Sequence, residues 1–484
     1  MTAEDTIATL RVENARLCAE VAAAQATIAT LSAQVATLLE RVKDLEGQRA
    51  LTSRNSNKPP SSDGPARVPR SLRGKSGKKP GGQPGHPGAH LRLVEAPDHV
   101  IMRRPLVCPA CAGLLLGVPE SGVERRQVVE VPPIRPVVTE YRSVQVRCPH
   151  CQAPATGDFP PAVAAPMQYG PRARAIALAL TQQHLLPYNR ARAVLRDVLG
   201  CAMTEGTLAT LVQDAAARLA DVEAAIADAL RAGALQHNDE TSLSVRGKRW
   251  WLHTASTARL THYGVHPKRG VEATDALGLL PGFRGTSVHD GWAPYRRYPC
   301  RHALCNAHHL RELAWVEEQD GQSWATGMAA LLRAIKAAVD TARAAGSPRL
   351  PARARATFRH RYACVIVAGL AANPPPPPDA APPRRGRRTQ SKAKNLLDRL
   401  QRTDEVLAFM EDFAIPFDNN QAERDVRMVK VQQKVSGTFR SVQGAHAFAR
   451  IRGYLSTLRK QDYPLLPALE SLFRGHPLVP CLES

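Results

Sequence analysis

The first forty-five residues constrain the chain most tightly. With Ile7 as heptad position a, the a series reads Ile7, Asn14, Val21, Ile28, Val35 and Val42, and the d series Leu10, Leu17, Ala24, Leu31, Leu38 and Leu45. Eleven of these twelve positions are apolar, and Gly47 is expected to end the run. So narrow a stripe suits a coiled-coil seam better than a helix lying on its own domain. β-branched residues at a with Leu at d favour a parallel two-stranded coil, and a single Asn at a fixes register and strand number. The chain is therefore expected to form a homodimer or larger assembly through residues 7–45, with Leu10, Asn14, Leu17, Leu31, Leu38 and Leu45 in the seam.

A chain of 484 residues has room for about three domains. Its 65 Lys and Arg against 43 Asp and Glu leave a net charge of +22, a surplus that favours a polyanionic partner such as nucleic acid. The acidic start, Glu4-Asp5, is unlike a secretory leader, and the uncharged apolar run Cys364–Ala372 is too short to span a bilayer. Ten cysteines are too few for a disulfide scaffold, and four of them fall in Cys-x-x-Cys pairs, which points to metal in a reducing compartment. These features predict a soluble cytoplasmic protein of several domains that does not enter a membrane.

Between Gly64 and Val94 there is no acidic residue, while Lys75, Lys78 and Lys79 stand among prolines and glycines. This stretch cannot bury a core and is expected to lie along a phosphate backbone. Cys108-Pro-Ala-Cys111 and Cys148-Pro-His-Cys151 then offer four thiolates to one structural Zn²⁺. The alternating stretches at 127–131 and 137–146 predict strands that bring the two knuckles together as a zinc ribbon. Farther on, RAVLRDVLGCAMTEGTLATLVQDAAARL predicts a helix, a turn at Gly200 and a second helix capped at Thr204, compatible with a helix-turn-helix reader of DNA.

Strand-like texture follows in ALQHNDETSLSV, RWWLHTAST and LTHYGVHP, then a helix at Thr274–Leu280 and a strand ending at Asp290 in GTSVHDGW. This order predicts an α/β sheet in which Asp239 and Asp290 lie side by side. Past a mostly helical insertion, Asp418, Asn419 and Asn420 are N-cap candidates for a helix over Gln421–Lys434. On it Glu423, Arg427, Lys430 and Lys434 share one face, and Ala422, Val426 and Val429 the next, which should dock on the sheet. Carboxylates converging in a basic protein suit hard cations poised for phosphodiester chemistry. Spacing alone leaves Glu240, Asp275, Asp418 and Asp425 as rivals.

The ordered set of the zipper, RNSNKPPSSDGP, GGQPGHPG, the paired CPxC motif, HLLPYNRAR, HNDET, HDGW, CNAHHLRE and DNNQAERDVRMVKVQQKVSGTFRS resembles insertion-sequence transposase family sixty-six, of the TnpC type, over nearly the whole length. That resemblance implies a multidomain α/β protein with an RNase H-like DDE core, a helical insertion, an N-terminal coiled coil, a zinc ribbon and a helical DNA-binding region. Its catalytic and metal-holding residues would be Asp239, Asp290 and Glu423, with two Mg²⁺ (or Mn²⁺), and its reaction end cleavage followed by transfer of the 3′-OH. Arg427, Lys430, Lys434 and Arg440 would contact double-stranded DNA, at terminal inverted repeats and target, and small accessory proteins of the same element would be partners. Cys305 and His308 match a C-x-x-H pattern read as local structural support. The Pro/Arg-rich stretch 374–394 departs from the family pattern. The segments expected are a zipper at 1–47, linker 48–94, zinc ribbon 95–155, helical region 156–233, core 234–320, insertion 321–405, core 406–462 and tail 463–484. From the residues alone two alternatives stay open: an inert zipper-dimerised DNA-binding regulator, or a metal nuclease or resolvase that does not join strands.

Overall fold

The computed structural model describes residues 3–51, 55, 85, 91–374 and 390–483. Helix α1 runs unbroken from Ala3 to Arg49. Its seam is open along the length: Leu10, Leu17, Leu31, Leu38, Leu45 and Asn14 are all exposed. The expected stop at Gly47 does not occur. A Cβ there would meet the Trp315 ring at 3.5 Å, an ordinary van der Waals contact. By length and composition alone Thr9–Leu39 passes for a bilayer span, but Arg11, Glu13, Arg16 and Glu20 set charges along it, so it does not overturn the sequence expectation. Lys75, Lys78 and Lys79 lie outside the described residues.

The zinc-ribbon strands form only in part. Strand β1 is Gln145–Arg147, paired antiparallel with β2, Pro154–Thr156, around the second cysteine pair. Residues 127–131 and 137–144 form no strand, and Val128, Val129, Val137 and Val138 are strongly exposed. Alternation stabilises a strand only where one face finds a partner, and here neither face does.

Helices α2 (Pro171–Leu178, continued by a π-helical turn at Ala179–Gln183), α3 (Tyr188–Leu199), α4 (Glu205–Arg218) and α5 (Ala220–Ala232) follow. The turn between α3 and α4 obeys its local code. Gly200 ends α3 in the left-handed region at φ +65°, and the Thr204 hydroxyl accepts the Thr207 N–H at 3.1 Å.

Strands β3 (Leu235–Val245), β4 (Lys248–Ser256) and β5 (Thr261–His266), helix α6 (Val271–Leu277), and strands β6 (Thr286–His289) and β7 (Arg301–Leu304) build one mixed sheet in the order β5-β4-β3-β6-β7. The first three are antiparallel, while β6 lies parallel to β3, and β7 to β6. Helix α7 (Asn306–Asp320) leaves β7. It leads into the helical insertion of α8 (Ser323–Ala344), α9 (Ala352–Ala372), α10 (Lys392–Leu400), α11 (Thr403–Val406) and α12 (Ala408–Glu411). Three helices close the fold: α13 (Asn420–Ser436), α14 (Val442–Lys460) and α15 (Leu465–Phe473).

Of four buried apolar clusters among the described residues, the two largest flank the sheet. One joins α2–α5 to α14 and α15 through Leu195, Leu208, Ile226, Ile451, Leu455, Leu469 and Leu472, and reaches Leu260 beside the sheet. Helices α2–α5 and residues of the segment 463–482 thus share one core with α14. The other holds the insertion against the far edge, with Val288, Leu304, Leu313, Met328, Tyr362 and Leu396 buried together.

A carboxylate cluster and two cysteine knuckles

Asp239 lies inside β3, and Asp290 is the first residue beyond β6. The parallel register pairs Leu235 with Thr286 and His237 with Val288. Continued two residues, it sets Asp239 beside Asp290. Glu423 stands in the first turn of α13, with one oxygen 3.7 Å from His308 Nδ1 and the other 3.5 Å from Arg311. Burial raises the Asp239 carboxyl well above the usual range, and Glu240, Asp290 and Glu423 each push it further. Asp290 and Glu423, from distant parts of the chain, thus both lie within electrostatic reach of Asp239.

The rivals are engaged elsewhere. Glu240 is buried and accepts from Arg269 at 2.9 and 2.7 Å and from the Tyr295 hydroxyl, while Arg269 stacks on Trp292 at 4.1 Å. Asp275 accepts from Tyr298 at 2.8 Å, and Asp425 from Lys460 at 2.9 Å. Asp418 caps α13 by accepting the Asn420 N–H at 3.1 Å.

Asn419, a cap candidate in sequence, does something else. It is fully buried and ties three elements together. Its Oδ1 accepts from His237 Nδ1 at 2.8 Å, its Nδ2 donates to Asn238 O at 2.9 Å, and its N–H donates to Cys305 Sγ at 3.1 Å. The start of α13, and with it Glu423, is thereby pinned to β3 and α7. Three cap residues in a row where one suffices were the only signal of this.

The Asp290 turn is braced by a chain of hydrogen bonds. His289 Nδ1 accepts the Gly291 N–H at 3.0 Å, which leaves Nε2 to donate to His302 Nδ1 at 3.0 Å, and His302 Nε2 to donate to Tyr298 O at 3.1 Å. Burial brings the His289 imidazole down to about 3 and keeps it neutral.

Along α13 the apolar stripe docks as expected, with Ala422, Val426 and Val429 buried. Arg427, Lys434 and Arg440 are exposed. Lys430 departs from the expected free row: it donates to the Ser242 carbonyl and, at 3.1 Å, to the Ser242 hydroxyl.

The cysteine pairs repeat one geometry. Cys108 and Cys148 donate their N–H to the carbonyls of Gly113 and Ala153 at 2.8 and 2.9 Å, and Ala112 and Gln152 take φ of 57° and 60°. Backbone N–H groups of Ala110 and Cys111, and of Cys151 and His150, lower the Cys108 and Cys148 thiols. Among the described residues, three or more potential ligands converge to within 4.8 Å only at Cys305, His308 and Glu423, so neither the four knuckle cysteines nor Asp239, Asp290 and Glu423 are drawn that close together.

The family model described as transposase IS66 family matches residues 166–447, well over half of the chain. The chain belongs to the IS66 transposase family. The model for the zinc-finger binding domain of transposase IS66 matches residues 105–152, which covers both knuckles and supports structural zinc there. Residues 5–92 match a family of unknown function (DUF6444). No curated protein matches the chain. Membership makes it a transposase, an enzyme that acts on DNA, and the carboxylate cluster lies within the matched segment.

Proposed function

We propose that this IS66-family member cleaves the ends of an insertion sequence and transfers the freed 3′-OH into target DNA, using Asp239, Asp290 and Glu423 in an RNase H-like core. The observation that carries this reading is the cost built into the cluster: burial and three neighbouring acids lift Asp239, a repulsion that a bound cation relieves. The sheet order β5-β4-β3-β6-β7, with three antiparallel strands and two parallel additions, supports the RNase H-like assignment.

An all-carboxylate donor set fits Mg²⁺ or Mn²⁺, two per site, held by Asp239, Asp290 and Glu423. When bound, such ions lower the cost of forming the attacking oxyanion and of charge on the phosphorus. The chain's own part is to hold geometry. Asn419 fixes Glu423 against β3, and the His289–His302 chain fixes the Asp290 turn. Lys430 clamps α13 to β3, while Arg427, Lys434 and Arg440 offer cations to the DNA backbone. Helices α3 and α4, the zinc module and the linker with Lys75, Lys78 and Lys79 recognise terminal inverted repeats. The α1 seam pairs two protomers on two ends, and small proteins of the same element are candidate accessory partners.

The test is Asp290→Asn in the full chain with Mg²⁺ and oligonucleotides of the element ends. Wild type cleaves and joins; the variant keeps DNA binding and loses both reactions by at least about a thousandfold, as when a group of the reacting centre is removed. Equal activity of the two proteins, or binding without cleavage or joining by wild type, overturns the assignment.

A further inference from the structure

The first turn of α7 carries two donors that the proposed chemistry leaves unused, and they face Glu423 of α13. Cys305 is the N-cap and His308 stands three residues on. Their ligand atoms and a Glu423 oxygen all lie within 4.8 Å of one another. Two of the three are orphans: His308 Nδ1 and Glu423 Oε1 face each other at 3.7 Å, both buried and neither with a hydrogen-bond partner. His308 is only 9% exposed. A buried polar atom left unpaired costs about 1–3 kcal/mol, so a facing pair too far apart to bond calls for an occupant between them. The surroundings are set for one. Arg311 takes the other oxygen of Glu423 at 3.5 Å, leaving Oε1 free, and the Asn419 N–H points at Cys305 Sγ at 3.1 Å, while burial pushes the Cys305 thiol up to about 12, a cost that a bound ion must offset.

We propose that Cys305, His308 and Glu423 form a binding site for a Zn²⁺-class transition-metal ion, distinct from the cysteine knuckles. One thiolate and one carboxylate with a neutral imidazole balance a divalent charge in a buried place. The sulfur selects a borderline-soft ion over Mg²⁺. Three protein ligands leave a fourth position for water. With zinc bonds of about 2.0–2.3 Å, tetrahedral donors sit roughly 3.3–3.8 Å apart, so the side chains must draw in by about 1 Å. On entry the Sγ–metal bond replaces the S–H bond and the proton leaves to solvent. An ion held here keeps Glu423 turned towards α7, away from Asp239 and Asp290, so Zn²⁺ opposes Mg²⁺-dependent cleavage. That antagonism rests on the transposase mechanism proposed above; the ion site itself does not.

The full chain, stripped with a chelator under reducing conditions, is titrated with Zn²⁺ and with Co²⁺, whose visible absorption reports tetrahedral thiolate sites. Wild type binds about two equivalents, one at the knuckles and one at this site. Cys305→Ser, which still offers Asn419 an acceptor, and His308→Ala each bind one fewer. Cys148→Ser loses the knuckle ion and keeps the other. Equal ion counts in wild type, Cys305→Ser and His308→Ala overturn the site. In the cleavage assay, Zn²⁺ inhibits wild type about tenfold or more strongly than Cys305→Ser. Equal inhibition overturns the antagonism and leaves the ion count standing. Absence of any Mg²⁺-dependent cleavage by wild type overturns the transposase mechanism, again without touching the count.

Discussion

His253 on β4 sits opposite Glu240 of β3, buried, with Nε2 donating to the Lys268 carbonyl at 3.4 Å. Burial is the main reason its imidazole falls from 6.5 to about 4, against the opposing pull of that carbonyl. A histidine depressed in the fold is protonated first in the unfolded chain. Its contribution to stability is therefore complete above pH 6.5 and is lost as pH falls from 6.5 towards 4. At about 1.36 kcal/mol per unit, a drop from about pH 7.5 to about pH 5 removes roughly 2 kcal/mol through this one group. The perturbation is His253→Gln, which keeps a donor for Lys268 and does not titrate. Urea unfolding of both proteins, with chelator and reductant, is followed by tryptophan fluorescence across that range. The packing cost of the substitution is constant with pH. The opposite trend of Asp239, whose raised carboxyl favours the fold as pH falls, is common to both proteins. The stability gap between wild type and variant should therefore move by about 2 kcal/mol in favour of the variant at the acid end. Parallel curves, within about 0.5 kcal/mol, would refute the reasoning and mean that His253 is hydrated in the fold.

Other outcomes follow from named contacts. His289→Gln keeps a donor for His302 but loses the acceptor for Gly291, so the Mg²⁺ needed for half-maximal cleavage should rise about tenfold, whereas His289→Asn, which restores that acceptor, should shift it less. In Gly285→Ala the new Cβ would fall 2.4 Å from the Ala234 carbonyl oxygen, and thermal unfolding should report a loss of about 1–3 kcal/mol. Removing residues 3–45 should convert the assembly to monomers in light scattering while leaving the sheet's circular dichroism intact, and Asn14→Val should broaden the distribution of oligomers.

What could be read from the sequence was what is encoded locally. Gly200 and Thr204 mark the α3–α4 turn because a left-handed residue and a hydroxyl cap act within one turn of helix. Strands β3 and β4 were legible from their texture, whereas the tight turn that joins them as a hairpin, with Arg246 and Gly247 both at positive φ, was not read. Alternation misled at 127–144, where no partner covers either face. The approach of Asp239 to Asp290, expected from the order of strands and helix, rests on the parallel pairing of β3 with β6 across some fifty residues of chain. Spacing put Lys430 in line with Arg427 and Lys434. It could not reveal that Ser242, brought in by the sheet, would take the ammonium. Asn419 was misread for the same reason, since its three partners come from β3 and α7.

The core that joins α2–α5 to α14 and α15 limits how this enzyme can change its target. Arg450 of α14 reaches across it to Glu223 at 2.6 Å and to the Ala216 carbonyl at 2.9 Å. A chimera that exchanges residues 166–233 as a cassette would cut through buried leucines and this ion pair together. To swap these helices without losing the fold, the exchange must carry α14 and α15 with them. If α3 and α4 read DNA as proposed, new specificity is reached by point changes on their outer face or by trading nearly the whole matched segment at once.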